Sequence, residues 1–358
     1  MSDTHLTSPA PHAPALVWSD PERQMLFGAW IERIAPAHAL ERTTLRLASA
    51  DASFRRYLRV DSARGSRIIM DAPPEKENCQ PFVHVAQLMT QAGLHAPEVL
   101  DWDEPHGFML LSDLGSQTMM QVIRPEQPPP LALYLQAVDM LIQWQLSSKP
   151  DVLPPYDQPL LLREMELFPQ WYITEHRKIV LTTTERKTLD AAFATIVTEN
   201  LRSPSVYVHR DFMPRNLMIE AGKMGVLDFQ DAVHGPITYD IASLMRDAFL
   251  SWDEDFCLDV TIRYWEKARK AALPVGDDFG EFYRAVEWMG LQRHLKVAGI
   301  FARLTLRDGK PQYLADTPRF IGYMHATCTR YRELRPLLRL LERIEGITPQ
   351  DGYAFGRM

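Results

Sequence analysis

The fold of this chain is decided by residues 206–228, "VYVHRDFMPRNLMIEAGKMGVLD". In this segment Asn216 follows Asp211 by five residues, and Asp228 follows Asn216 by twelve. Apolar residues on both sides of the polar loop predict short flanking strands, the last two joined by a hairpin turn at 222–225. We therefore expect three oxygen-bearing side chains to be held at fixed positions on a rigid β frame.

These side chains form a set that suits phosphoryl transfer. Hard cations such as Mg²⁺ prefer carboxylates together with phosphate oxygens and water. The spacing H-x-D-x-x-x-x-N followed by D-F is that of kinase-type phosphotransferases, where the loop Asp accepts the proton of the attacking hydroxyl. The pattern predicts Asp211 as the general base, and Asn216 and Asp228 as ligands of Mg²⁺ beside ATP. His209 and Asp240 are predicted to be structural residues that brace the loop.

The residues after Asp228 argue against a peptide substrate. Protein kinases carry an activation segment between D-F-G and A-P-E, where peptide substrates dock. Here "DFQDAVHGPITYDIASLMRDAF" is read as passing at once from Asp228 into a helix, and no A-P-E follows. We therefore predict that the phosphoryl acceptor is a small hydroxylated molecule.

The composition limits the possible partners and compartments. The formal charge is −7 without a strongly basic segment, which argues against a nucleic-acid binder. The three cysteines are widely spaced and form no metal-ligand pattern, which favours a reduced protein in the cytoplasm. No apolar run approaches the roughly 18 residues that span a bilayer, so no membrane association is expected. The sequence does not indicate an oligomeric state.

The order of predicted elements gives an α/β (α+β) chain with two lobes. Residues 1–20 are predicted to be a disordered tail, and residues 21–112 a small nucleotide-binding lobe of strands with one or two helices. Residues 110–115 are predicted to be a hinge. Residues 116–358 are predicted to be a larger, mostly helical lobe for catalysis and substrate binding. The expected fold is protein-kinase-like, with ATP in the cleft.

Several segments resemble a known family. "HRDFMPRN" and "VLDFQDAVHGPITYDIASL" resemble the aminoglycoside phosphotransferase and choline-kinase-like superfamily. "DASFRRYLRV", "IIMDAPPEKENCQPF", "GLHAPEVLDWDEPHGFMLLSDLG" and "ELFPQWYI" are similar to the bacterial anomeric sugar kinases of cell-wall recycling. The resemblance implies ATP- and Mg²⁺-dependent phosphorylation of N-acetylmuramate and N-acetylglucosamine on the anomeric (C1) hydroxyl, giving the sugar 1-phosphate in peptidoglycan recycling.

Three alternatives to this assignment stay open. The chain could be an aminoglycoside phosphotransferase, or a kinase for choline, homoserine or a related small alcohol. It could also be a pseudokinase-like binder without turnover, because the lysine that protein kinases carry on their third strand is missing. "RIIMDAPP" places Met70 or Asp71 there, and the helix at 81–93 contains no Glu. Arg55, Arg56 and Lys76 are the candidates for a replacement cation.

The nucleotide contacts are predicted from position. The chain has no G-x-G phosphate loop, and "SADASFRRY" stands in its place, so Ser53, Phe54 and Arg55 are the candidate phosphate contacts. Leu111 and Asp113 are candidates in the connector, where backbone groups would read adenine.

The sugar contacts are predicted from residue type. A sugar pocket needs aromatic faces and polar groups, and a cation would suit the lactyl carboxylate of N-acetylmuramate. Glu166, Trp171 and Arg293 are the candidates for this substrate pocket.

Overall fold

A computed structural model of the protein describes residues 17–50, 54–124 and 126–348. The chain divides into two compact units, the first comprising residues up to 91 with 95–115, and the second comprising 92–94 with the residues from 116 onward. Residues 1–16 of the predicted tail lie outside the described residues. Trp18, near the end of that predicted tail, packs its ring 4.9 Å from that of Phe27.

The first unit is built on a five-stranded antiparallel sheet with the order β1-β2-β3-β5-β4. Its strands are β1 Leu40–Ala50, β2 Arg56–Ser62, β3 Arg67–Asp71, β4 Val99–Asp103 and β5 Phe108–Ser112. Its helices are α1 Pro21–His38 and α2 Gln80–Gln91. This arrangement confirms the prediction of strands with one or two helices in this region.

One face of this sheet is covered by α1. Asp20 caps the helix by accepting hydrogen bonds from the backbone N–H groups of Glu22 and Arg23. In β2 Leu58 and Val60 are buried, and they pack with the apolar side of α1 in one core. Because side chains alternate along a strand, the residues between them point to the other face of the sheet.

The hairpin between β4 and β5 turns at Gly107. Gly107 has φ +69°, and a Cβ there would lie 1.9 Å from the carbonyl oxygen of Ala72. The close approach lets Ala72 donate its N–H to the Gly107 carbonyl at 2.9 Å. Glycine is thus required by both the backbone conformation and the space.

The second unit is mostly helical. Its α-helices are α3 Met119–Val122, α4 Leu131–Leu146, α5 Gln158–Met165, α6 Thr183–Asn200, α7 Thr238–Met245, α8 Glu254–Lys270, α9 Phe279–Leu306, α10 Thr317–Arg330 and α11 Arg335–Glu345. A π-helical segment, Phe168–His176, follows α5. No helix in the described part of the chain combines the length and apolar character needed to cross a membrane.

The long helix α9 runs through the middle of this unit. Most of its residues between Val286 and Ala302 are buried. A Cβ at Gly299 would lie 2.3 Å from the carbonyl carbon of Leu167, so this glycine lets α9 approach the backbone just before the π-helical segment. Elsewhere on α9, the Arg293 guanidinium lies 3.7 Å from the sulfur of Met213 in the segment that carries the candidate catalytic residues.

Two short antiparallel ribbons frame that segment. Strand β6 Ser205–Val208 pairs with β9 Val233–Pro236, and β7 Leu217–Glu220 pairs with β8 Lys223–Val226. The predicted position of the hairpin turn, residues 222–225, is wrong. Ala221 and Gly222 form the turn with φ 49° and 79°, and Gly225 lies within β8. The sequence reading also missed β9, since it took the chain directly from Asp228 into a helix.

Candidate active site

Asp240 on α7 fixes the loop that carries Asp211. Asp240 accepts hydrogen bonds from the backbone N–H groups of His209 at 2.7 Å and Arg210 at 3.0 Å. Burial raises the pKa of Asp240 to about 7, against the opposite effect of these two backbone donors. Both carboxylate oxygens are thus used to fix the two residues that precede Asp211.

His209 links the same loop to the residue before Asp228. The Asp211 N–H donates to His209 Nδ1 at 3.2 Å, which leaves Nε2 to donate to the Leu227 carbonyl at 3.0 Å. Burial lowers the pKa of His209 to about 4, despite the nearby charge of Asp211. The imidazole is therefore neutral at physiological pH and acts as a strut between the two polar segments.

The side chains of Asn216 and Asp228 lie together at the open end of the β7–β8 hairpin, next to the backbone of Asp211. The Asn216 amide donates to the Asp211 carbonyl at 2.8 Å and lies 3.4 Å from Asp228 Oδ2. Asn216 is buried, Asp211 is half-buried and Asp228 is exposed. The Gln230 amide lies 3.0 Å from the second carboxylate oxygen of Asp228. The structure thus places Asn216 beside Asp228 and beside the backbone of Asp211, and the roles of the three residues as base and metal ligands stay a prediction.

Two residues of this group have left-handed backbone conformations that side chains rarely adopt. Arg210 has φ 76° and Asp228 has φ 64°. Such conformations cost about 1–3 kcal/mol each and persist where the surroundings enforce them. At Arg210 the enforcing contacts are the Asp240 carboxylate on its N–H and an ion pair of its guanidinium with Glu164.

A buried ionic cluster lies behind the loop. Glu164 is 6% exposed and pairs with Arg210 and, at 3.0 Å, with the Lys296 ammonium. Its second oxygen accepts from the Tyr156 hydroxyl and from the Gln292 amide at 3.2 Å. Burial alone would raise the pKa of Glu164, but Lys296 and Arg210, with hydrogen bonds from Tyr156 and Lys296, lower it to about 2. Glu164 is therefore ionised at neutral pH.

Glu164 and Lys296 were not among the functional residues predicted from the sequence. A signal for Glu164 existed, because it shares a helical face with Leu161 and Met165, and both of these are buried in α5. A carboxylate on an apolar face requires partners. Lys296 offers the corresponding signal on α9, where it lies among buried residues.

The predicted pocket residues lie in different surroundings. Glu166 pairs with Arg186 at the surface, with side chains 44% and 40% exposed. Trp171 is half-buried in the π-helical segment. Arg293 is 2% exposed, with a guanidinium nitrogen 3.7 Å from the sulfur of Met213 in the catalytic loop. Their part in substrate binding stays a prediction.

The predicted nucleotide contacts lie in the first unit. Asp113 accepts from Arg59 at 2.6 and 3.0 Å, from the Ser66 hydroxyl at 2.7 Å and from the Gly115 N–H at 3.0 Å. Its carboxylate therefore fixes the end of β5, where Leu111 is buried. Phe54 is exposed, and Arg55 forms an ion pair with Glu77. Ser53 lies outside the described residues.

The relatives of this chain are phosphotransferases. It is 46% identical over 328 residues to the N-acetylmuramate/N-acetylglucosamine kinase of Neisseria meningitidis serogroup B, covering 91% of this chain and 97% of that protein. It is 48% identical over 294 residues to the kinase of the same name from Pseudomonas aeruginosa, covering 82% and 86%.

The fold has relatives among solved structures. The ethanolamine kinase of Plasmodium vivax superposes with a TM-score of 0.59 at 11% identity, covering 88% of this chain and 91% of that one. This likeness confirms the predicted fold, a small antiparallel sheet unit with a larger helical unit. A family model described as "Phosphotransferase enzyme family" matches residues 44–277. The chain therefore belongs to this phosphotransferase family, as its sequence motifs predict.

Proposed function

We propose that the protein transfers a phosphoryl group from ATP to the anomeric (C1) hydroxyl of N-acetylmuramate and N-acetylglucosamine. The observation that carries the proposal is the assembly of Asp211, Asn216 and Asp228 in a chain so similar to named kinases of these sugars. The product would be a sugar 1-phosphate, and a role in peptidoglycan recycling in the cytoplasm belongs to the same proposal.

Asp211 is positioned to act as the general base. Its backbone is fixed on both sides, since its N–H donates to His209 and its carbonyl accepts from Asn216. The half-buried carboxylate can then accept a proton without a rearrangement of the loop. A hemiacetal hydroxyl is more acidic than an ordinary alcohol, so a carboxylate of modest basicity suffices at C1.

Asn216 and Asp228 fit a magnesium ion. Among the described residues no cluster of three or more His, Cys, Asp or Glu side chains could hold a metal by itself. One carboxylate with one amide instead suits a cation that takes its other ligands from phosphate and water, as Mg²⁺ does. Bound Mg²⁺ would neutralise charge on the ATP phosphates. Asp228 is exposed and one of its carboxylate oxygens lies 3.4 Å from the Asn216 amide, so the two side chains are close enough to contact the same ion.

Substitution of Asp228 tests this metal site. We expect Asp228→Asn to raise the Mg²⁺ concentration for half-maximal turnover by at least about 10-fold and to lower kcat, because the anionic ligand is lost. The measurement is ADP release as a function of Mg²⁺ at saturating ATP and sugar. A Mg²⁺ titration unchanged from the wild type would remove Asp228 from the metal site.

The proposed reaction is tested with a blocked substrate. Purified protein with Mg²⁺ and ATP should release ADP with N-acetylmuramate and should release none with its 1-O-methyl glycoside, in which the anomeric oxygen carries no proton. Turnover of both compounds would support a sugar kinase that phosphorylates a hydroxyl other than the anomeric one. Turnover of neither, with activity on aminoglycosides, choline or homoserine, would overturn the sugar assignment. No turnover of any acceptor would favour a non-catalytic binder.

A further inference from the structure

Kinase-type enzymes hold the ATP phosphates with a lysine on the third strand. The described strand β3 contains no lysine, and its cationic residue is Arg67 at the first position, whose guanidinium donates to the Ser66 carbonyl at 2.8 Å. Met70, at the fourth of its five positions, is buried and uncharged. In the β2–β3 ladder Met70 lies opposite Tyr57, and Asp71 lies opposite Arg56. Directly opposed residues of an antiparallel pair share a face, so Met70 and Tyr57 point away from α1.

Arg56 is committed to the opposite face. Two of its guanidinium nitrogens donate to Asp71 Oδ2 at 3.1 and 2.6 Å, and its guanidinium lies 3.8 Å from the ring centroid of Trp18. Arg23 of α1 donates to the other oxygen of the same carboxylate. This arrangement ties α1 to the sheet, and it removes Arg56 from the candidates for phosphate binding.

Lys76 is also unsuited to the position. It is exposed, and its ammonium lies 5.1 Å from the ring centroid of Phe54, a side chain that is itself 65% exposed. A flexible surface ammonium is not held in place in the way that phosphate binding in a kinase requires.

Arg55 has the location and the support that the other two lack. It directly precedes β2, and its guanidinium interacts with Tyr57, the residue that lies opposite Met70 in the β2–β3 ladder. Its guanidinium pairs with Glu77 at 3.1 Å, and the two side chains are only 10% and 17% exposed. Glu77 lies on the segment between β3 and α2.

We propose that Arg55, positioned by Glu77, binds the phosphates of ATP in place of the missing lysine of the third strand. In protein kinases the ion pair joins a lysine on the third strand to a glutamate within the following helix. Here the cation directly precedes β2, and the carboxylate lies just before α2. The proposal rests on the ATP use stated under the proposed function. With Arg55 in this role, the missing lysine no longer favours a non-catalytic binder.

Nucleotide binding without sugar tests this proposal separately from turnover. Calorimetric titrations compare Mg²⁺-ATP with adenosine, which has no phosphates, for the wild type and four variants. Arg55→Gln should weaken ATP binding about 10- to 100-fold, the range for a charge-assisted hydrogen bond, and leave adenosine binding unchanged. Arg55→Lys should lose less, because the positive charge remains. Glu77→Gln should also weaken ATP binding selectively, by a smaller factor.

Arg46→Gln is the matched control, since Arg46 forms an ion pair with Asp61 at 2.9 Å in the same sheet but at the more exposed β1–β2 edge. It should bind both nucleotides as the wild type does. Wild-type ATP affinity in Arg55→Gln would overturn the proposal, and so would an equal loss of ATP and adenosine binding, which would make Arg55 a support of the sheet. A wild type that binds ATP but phosphorylates no sugar would overturn the substrate assignment and leave the role of Arg55 intact.

Discussion

Asp211→Asn should lower kcat by about 10²–10⁴-fold, the usual contribution of a general base. Asn has nearly the same size as Asp, and the contacts that position residue 211 are made by its backbone N–H and carbonyl. The loop should therefore keep its conformation while losing the group that accepts the proton. ADP release at saturating ATP and sugar measures the effect.

Two controls separate the loss of a base from other damage. ATP affinity, measured by calorimetry without sugar, should be nearly unchanged in Asp211→Asn. Glu220→Gln removes an exposed carboxylate at the turn end of the neighbouring β7–β8 hairpin and should leave kcat within a factor of about two, as expected for surface substitutions. Turnover of Asp211→Asn near the wild-type rate would overturn the assignment of Asp211 as the base.

The proximity of the candidate catalytic residues could be predicted because their geometry is local in sequence. A loop between short strands, followed by a hairpin, brings Asp211, Asn216 and Asp228 together through turn geometry. The position of the hairpin turn was not predicted correctly, because Gly222 and Gly225 can each form a turn. In the structure Glu220 pairs with Lys223, so the turn contains Gly222. Strand β9 carried no strand signal, because it contains Gly235 and Pro236 and is defined by its pairing with distant β6.

Residues that act through long-range contacts were harder to assign. Glu166 was chosen as a pocket residue by its type, whereas the buried carboxylate of the same segment is Glu164, two positions earlier. Two positions along a helix change the direction of the side chain by about 200°, so the helical phase decides which carboxylate is buried. Arg293 was likewise chosen for its charge, but its burial between Met213 and the backbone of Arg246 depends on how α9 packs.

The cluster around Glu164 leads to the largest expected effect on stability. Glu164→Gln should lower the free energy of unfolding by about 3–5 kcal/mol at pH 7, because it leaves the buried Lys296 and the largely buried Arg210 without their shared carboxylate. The negative charge of Asp211 already attracts Arg210 and Lys296, and in the variant the competing attraction of Glu164 would be lost. We therefore expect kcat to fall as well, since Arg210 directly precedes the base.

Glu166→Gln is the matched control for this prediction. It makes the same chemical change two residues away, in an ion pair with Arg186 whose two side chains are 44% and 40% exposed. Exposed pairs contribute about 0–1 kcal/mol, so its free energy of unfolding should stay within that range of the wild type. Equal stabilities of the two variants would contradict the role assigned to the buried cluster.

The pH dependence of this difference provides an independent test. Lys296 and Arg210 hold the pKa of Glu164 at about 2 in the folded state, below its ordinary 4.5. The resulting stabilisation, about 3 kcal/mol, is fully present above the unfolded-state pKa and is lost as pH falls towards 2. Burial of neutral His209 also reduces stability in acid, but it does so in both proteins. In urea unfolding, the gap between wild type and Glu164→Gln should therefore be constant from pH 8 to about 5 and shrink below that. A difference in the free energy of unfolding that stays constant down to about pH 3 would show that the charge of Glu164 does not stabilise the folded protein.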